Sequence, residues 1–282
     1  MGRLIVHWSP LHGQARTTAS MCAVALGMHS ITGGKICLTS TQYNMSDLEG
    51  MFDNRQSAER KQLLYKAAGL NALVTNIKRT ALSSEDVEDC AMSTLVPDID
   101  LFPGIEFSKG ISNTNETDEL VYQIITNYIK PCYDWTFVDL AAGGGTQSMR
   151  FVQAADVVVV TLSQNKAVWD SYCREYPSIL NKENVFYLLG GAKPDSVCSV
   201  HNLARTLQKK TGKTCTVGMI LDNVGYMDAV SEGSVPSFFM LNSKVARREE
   251  NEDFIRESLR TAGVLRDFTY SGRSSRKRGK VR

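Results

Sequence analysis

The chain has 282 residues, 32 basic and 30 acidic side chains and 43% hydrophobic residues, enough to bury a substantial core in one large α/β domain or two smaller ones. No apolar run approaches the ~20 residues of a membrane-spanning helix, and a single early charge, Arg3, followed by a short strand-like run does not resemble a secretory leader. Seven scattered cysteines without a C-x-x-C pair, and four histidines without ligand spacing, argue against a disulfide framework or a structural zinc site and for a cytoplasmic protein.

Leu4-Ile5-Val6-His7-Trp8 reads as a first strand. It breaks into Ser9-Pro10-Leu11-His12-Gly13-Gln14-Ala15-Arg16-Thr17-Thr18 and continues as the Ala-rich, helix-like run Ala19 to Leu26. Strand, turn-rich loop, hydroxyl pair and helix are the layout of a phosphate-binding loop, in which amides and the helix dipole cradle an anion.

Further strands are predicted at Lys35 to Thr39, Trp135 to Leu140, Asp156 to Leu162, Val185 to Leu189 and Thr214 to Leu221. Helices are predicted at Thr17 to His29, Gln56 to Ala68, Glu119 to Ile129, Ala167 to Tyr176, Ser199 to Lys210 and Ala246 to Ala262. This alternation gives an α/β fold: a doubly wound, mostly parallel sheet flanked by helices. Asn71 to Ile111 reads as helix, loop and a short strand near Asp100 to Phe102. Asn223 to Asn242 is apolar but undecided between helix and strand.

The last ten residues hold Arg273, Arg276, Lys277, Arg278, Lys280 and Arg282 with no acid. Without those six, 26 basic residues face 30 acidic ones, so the body is about −4 and the end is a separate electrostatic object. The expected division is a single domain over residues 1–270 and a flexible basic tail over 271–282. Such a tail attracts nucleic acid or an anionic surface, or merely solubilises the terminus.

In doubly wound sheets ligands bind beyond the C-terminal strand ends, so the loops after Trp8, Thr39, Leu140 and Leu162 should share one crevice. Asp139 closes a buried strand and precedes Leu140-Ala141-Ala142-Gly143-Gly144-Gly145. A carboxylate there suits a magnesium-bound water, or simply caps the next helix. Ser163-Gln164-Asn165-Lys166 contacts a base or partner, or starts a helix.

The loop and helix after the first strand, Phe137-Val138-Asp139, then Ala154-Ala155-Asp156-Val157-Val158-Val159-Val160-Thr161, resemble in order and spacing the ParA/MinD family of partition and positioning ATPases. Late in the chain, Val217 to Asn223 followed by Asp228 to Gly233 matches the family's closing strand and loop. The resemblance covers residues 3 to about 262. It implies a P-loop NTPase-like fold, ATP and Mg2+ as cofactors, and a homodimer or filament with a further protein partner. Gly13, Gln14, Ala15, Arg16, Thr17 and Thr18 would form the nucleotide loop. Thr17 and Asp139 would hold the metal, with Asp139 also the catalytic carboxylate.

The departures are chemical. Leu11 takes the place of the family's signature lysine, and Arg16 that of its phosphate-binding lysine, with a wide planar fork for a compact ammonium. Ala15 replaces a glycine and restricts backbone approach. Thr39-Ser40-Thr41 stands where the family has its water-activating carboxylate, and hydroxyls are poor general bases. Any ATPase is therefore expected to be weak or lost, with nucleotide bound weakly or not at all. Gly143-Gly144-Gly145-Thr146-Gln147-Ser148 also resembles the phosphate loop of tubulin-like GTPases, but Asn115-Glu116-Thr117-Asp118 precedes it where that family's acidic motif follows. The competing readings are a nucleotide-dependent switch in DNA partition, mobile-element maintenance or apparatus positioning, a non-catalytic scaffold or filament, and a DNA-binding accessory factor.

Overall fold

Every residue of β1 (Arg3–Trp8) is buried, as a strand covered on both faces requires. Successive side chains alternate: Leu4, Val6 and Trp8 enter one apolar core and Ile5 the other. The structure is a computed structural model that describes residues 2–42, 48–52, 67–105, 114–244 and 248–278, with backbone alone at 114 and 272–278.

After β1 come β2 (Ile36–Ser40), β3 (Met92–Ser93), β4 (Ile99–Phe102), β5 (Trp135–Asp139), β6 (Val157–Leu162), β7 (Val185–Ala192) and β8 (Val217–Leu221). Among the described residues they form one sheet in the order β3-β4-β2-β5-β1-β6-β7-β8. All neighbours are parallel except β3, which runs antiparallel to β4. β1 therefore lies between β5 and β6, with His7 opposite Asp139 on one side and Val159 on the other.

The helices are α1 (Thr17–Thr32), α2 (Leu48–Phe52), α3 (Gly69–Ile77), α4 (Ser84–Asp89), α5 (Thr114–Gln123), α6 (Lys130–Cys132), α7 (Thr146–Ala154), α8 (Lys166–Glu175), α9 (Pro177–Leu180), α10 (Val200–Thr211), α11 (Val224–Glu232), α12 (Val235–Lys244) and α13 (Glu249–Arg278). Helices α1, α2 and α11 to α13 supply the core on one face of the sheet, and α3, α5, α7, α8 and α10 supply it on the other. α1 packs against α13 at Gly27, where a Cβ would lie 3.1 Å from the Ala262 Cβ. The doubly wound architecture is the one the alternating pattern predicts.

Several local features differ from the sequence reading, among them α4, α9 and β3, which it did not place. α7 was not predicted: nine residues long and largely polar, it buries only Ser148, Phe151 and Val152, too few for a helical period. The undecided stretch 223–242 is two helices, separated by Gly233 in the left-handed region after Asn223 caps the first. The helix predicted over Glu119 to Ile129 changes at Ile124 to a π-helical stretch, Ile124–Ile129. The backbone of α13 stays helical through Arg273, Arg276, Lys277 and Arg278, where composition predicts a flexible arm from Ser271. Arg and Lys are good helix formers and suit the negative end of a helix dipole, so a helix already nucleated by its packed turns can continue. Lys280 and Arg282 lie outside the described residues, as does the helix predicted at Gln56 to Ala68 but for its last two residues.

Candidate phosphate-loop site

The loop from Ser9 to Arg16 leaves the buried end of β1 and turns into α1. Gly13 supplies a left-handed turn at φ 71°, with nothing within 4 Å of where a Cβ would stand. Arg16 is the N-cap of α1 at φ 50°, ψ 44°, and no side chain caps this end. The first amides of a helix have no partners within it, so this end of α1 carries donors and the positive pole of the dipole. Leu11, Gly13, Arg16, Thr17, Thr18 and Gln42 are among the lining of a cavity of about 260 Å³ in front of it. The loop is seated on β7, where a Cβ at Gly190 would lie 2.0 Å from the Ala15 carbonyl oxygen. Gln14 is exposed at the loop's surface.

Asp139 lies behind the lining residues Thr18 and Gln42, fully buried. Thr18 Oγ1 and Gln42 Nε2 each donate to its Oδ2 at 2.6 Å, while Oδ1 has no partner. Burial pushes its carboxyl up to about 7; the hydrogen bonds from Thr18 and Gln42 pull against that, and Glu49 adds to it. The sequence reading paired Asp139 with Thr17. The structure pairs it with Thr18, because successive helical residues point about 100° apart and the second hydroxyl is the one over β5; Thr17 faces the cavity instead.

The end of β2 holds hydroxyls already committed elsewhere. Thr39 is fully buried and donates to the Phe102 carbonyl at 2.9 Å, while the Thr41 amide donates to the Asp139 carbonyl at 2.9 Å. Arg16 turns toward the far side of the sheet and ion-pairs with Asp222, just beyond β8. His7, next to Asp139 on the neighbouring strand, is fully buried with both ring nitrogens unpartnered, and burial lowers its pKa to about 3.

Three site residues escaped sequence reasoning. Gln42 follows a strand already placed at the crevice, so the rule of strand ends could have found it. Asp222 becomes visible only once β8 and α1 are known to meet, and an apolar-looking strand gives no signal for His7. Gly143 is tied to the loop: Trp8 Nε1 donates to the Gly143 carbonyl at 2.9 Å, and the Gly143 amide to the Ser9 carbonyl at 3.0 Å, while Gly145 is the N-cap of α7. Ser163 to Lys166 is a helix start, with Asn165 capping α8 and Gln164 bonded to Lys193 and Cys198 backbone.

Among the described residues no group of three or more His, Cys, Asp or Glu side chains is placed to hold a metal. No described helix is long and apolar enough to cross a membrane.

No protein-family model and no curated protein matches the sequence. Solved structures do. A ParA family ATPase from Chlorobium tepidum TLS is 12% identical, with a TM-score of 0.63 over 92% of this chain and 99% of its own. The cell-division ATPase MinD of Pyrococcus furiosus is 16% identical, with a TM-score of 0.63 over 95% and 99%. The septum site-determining protein MinD of Pyrococcus horikoshii OT3, complexed with Mg-ADP, is 14% identical, with a TM-score of 0.60 over 92% and 95%. Sheet order, the loop from β1 into α1 and end-to-end similarity at these identities together give this chain the ParA/MinD-type fold.

Proposed function

We propose that this chain is a ParA/MinD-like dimerising switch that grips the phosphates of a nucleotide through residues 13–18 and hydrolyses it slowly or not at all. The reading rests on one arrangement: α1 opens without a side-chain cap onto a cavity, above an Asp139 that burial keeps protonated up to about pH 7. The free amides and dipole suit a phosphate. The unpartnered Oδ1 of Asp139 and the hydroxyl of Thr17 suit a magnesium ion once the Asp139 proton has left. Magnesium, when bound, would offset the phosphate charge. Thr39, committed to the Phe102 carbonyl, cannot accept a proton from water in the place where the resemblance puts a carboxylate. The Mg-ADP complex of the MinD neighbour supports a nucleotide as the ligand.

The test is titration with Mg-ATP at pH 6 and pH 8, with molecular mass followed by light scattering and phosphate release assayed in parallel. Weak binding that strengthens at the higher pH, dimerisation that follows it, loss of both in Thr17→Ala and Asp139→Asn, and release at background are expected. Rapid turnover overturns the proposal, as does a dimer indifferent to nucleotide. The latter outcome belongs to a second reading, a scaffold or filament that no longer uses nucleotide. It is favoured by the cavity of about 260 Å³, below the ~300–1,000 Å³ usual for small-molecule sites. In either reading the basic C-terminal segment supplies a grip on DNA or an anionic surface.

A further inference from the structure

We propose that Asp222 is a built-in competitor at the phosphate loop: it holds the Arg16 guanidinium, and an incoming phosphate gains the help of Arg16 only by taking it from Asp222. The proposal rests on the nucleotide-loop reading above and assigns an affinity-setting role to a residue outside the loop.

Among the described side chains lining the cavity, Arg16 is the only permanent cation, so its partner sets how much of that charge the cavity presents. That partner is the Asp222 carboxylate. The pairing is held from both sides. Arg16 sits at φ 50°, ψ 44°, a left-handed backbone that L side chains adopt at a cost. Its side chain runs over Gly191, where a Cβ would lie 3.0 to 3.2 Å from Arg16 Cδ, Nε and Nη1; any larger residue would displace it. Asp222 is fixed from its own side, its amide donating to the Ala192 carbonyl at 2.8 Å, where the β7–β8 register shifts.

The pair is also exchangeable. The two side chains are 41% and 29% exposed, and ion pairs in contact with water are weak. A phosphate offers the guanidinium fork two acceptor oxygens and more charge than a single carboxylate.

The experiment compares Mg-ATP and inorganic tripolyphosphate binding by calorimetry in the wild type, Asp222→Asn, Arg16→Gln and the double variant. Asp222→Asn is expected to bind both ligands about two- to fivefold tighter, the range an exposed ion pair allows, and the gain is expected to vanish in the double variant. Asp222→Ser replaces Asp222→Asn if the latter does not fold by circular dichroism. Unchanged or weaker binding by the Asp222 variant, or a gain that survives in the double variant, overturns the proposal while wild-type binding leaves the nucleotide reading in place. Binding by Asp222→Asn alone, with none by wild type, supports the competitor and sinks the nucleotide reading. Binding by neither sinks both.

Discussion

Asp139 and His7 face one another across β1 and β5, and the fold neutralises both. In the unfolded chain between about pH 4 and 6.5 the carboxylate is charged and the imidazole is protonated. In the folded chain burial raises one pKa from 3.8 to about 7 and lowers the other from 6.5 to about 3. The signs oppose. Asp139 binds a proton on folding, so its term weakens as pH rises from 3.8 to 7; His7 loses one, so its term strengthens as pH rises from 3 to 6.5. Each slope is about 1.4 kcal/mol per pH unit, and in the wild type they cancel where the windows overlap. Asp139→Asn therefore gains stability with rising pH relative to wild type between pH 4.5 and 6, and His7→Leu loses it. Urea denaturation across that range measures both. Parallel profiles for all three proteins would show that neither group is held neutral.

At the scale of elements, the position of the loop depends on β7 as much as on α1. The Ala15 carbonyl and Ser20 Oγ stand 2.0 and 2.8 Å from where a Cβ would sit at Gly190. Since backbone cannot give way as a flexible side chain can, Gly190→Ala is expected to cost about 2–3 kcal/mol of stability and to shift the loop. Thermal unfolding together with phosphate binding tests this: a variant that keeps both at wild-type levels would mean that β7 does not position the loop. The strands were legible because each is a short apolar run between turn residues, and β1, β5 and β6 begin or end within a residue of their predicted limits. α7 and the split between α11 and α12 were not, because short helices beside glycines carry too few buried positions to display a period.

Over the whole molecule, charge separates into a slightly acidic body and a basic end. If residues 271–282 grip nucleic acid, their six cations displace counterions, and the logarithm of affinity falls with the logarithm of salt at a slope of about −5. Fluorescence anisotropy with duplex DNA across a salt series, on the full chain and on a chain ending at Tyr270, measures that slope. A truncated chain with unchanged affinity places the DNA contact elsewhere or removes it. The backbone of α13 is helical as far as Arg278, so Arg273, Arg276, Lys277 and Arg278 lie on a helical stretch of the chain.

The principal strands, the loop into α1 and the carboxylate at the end of β5 were determined by the sequence, because apolar runs and turn residues are local and survive in one dimension. Which hydroxyl meets Asp139, where Arg16 sends its charge, and why His7 and Asp139 are both neutral were decided only by the tertiary structure. Those outcomes depend on β1 entering between β5 and β6 and on β8 ending beside α1, contacts between residues more than a hundred positions apart that no local pattern encodes.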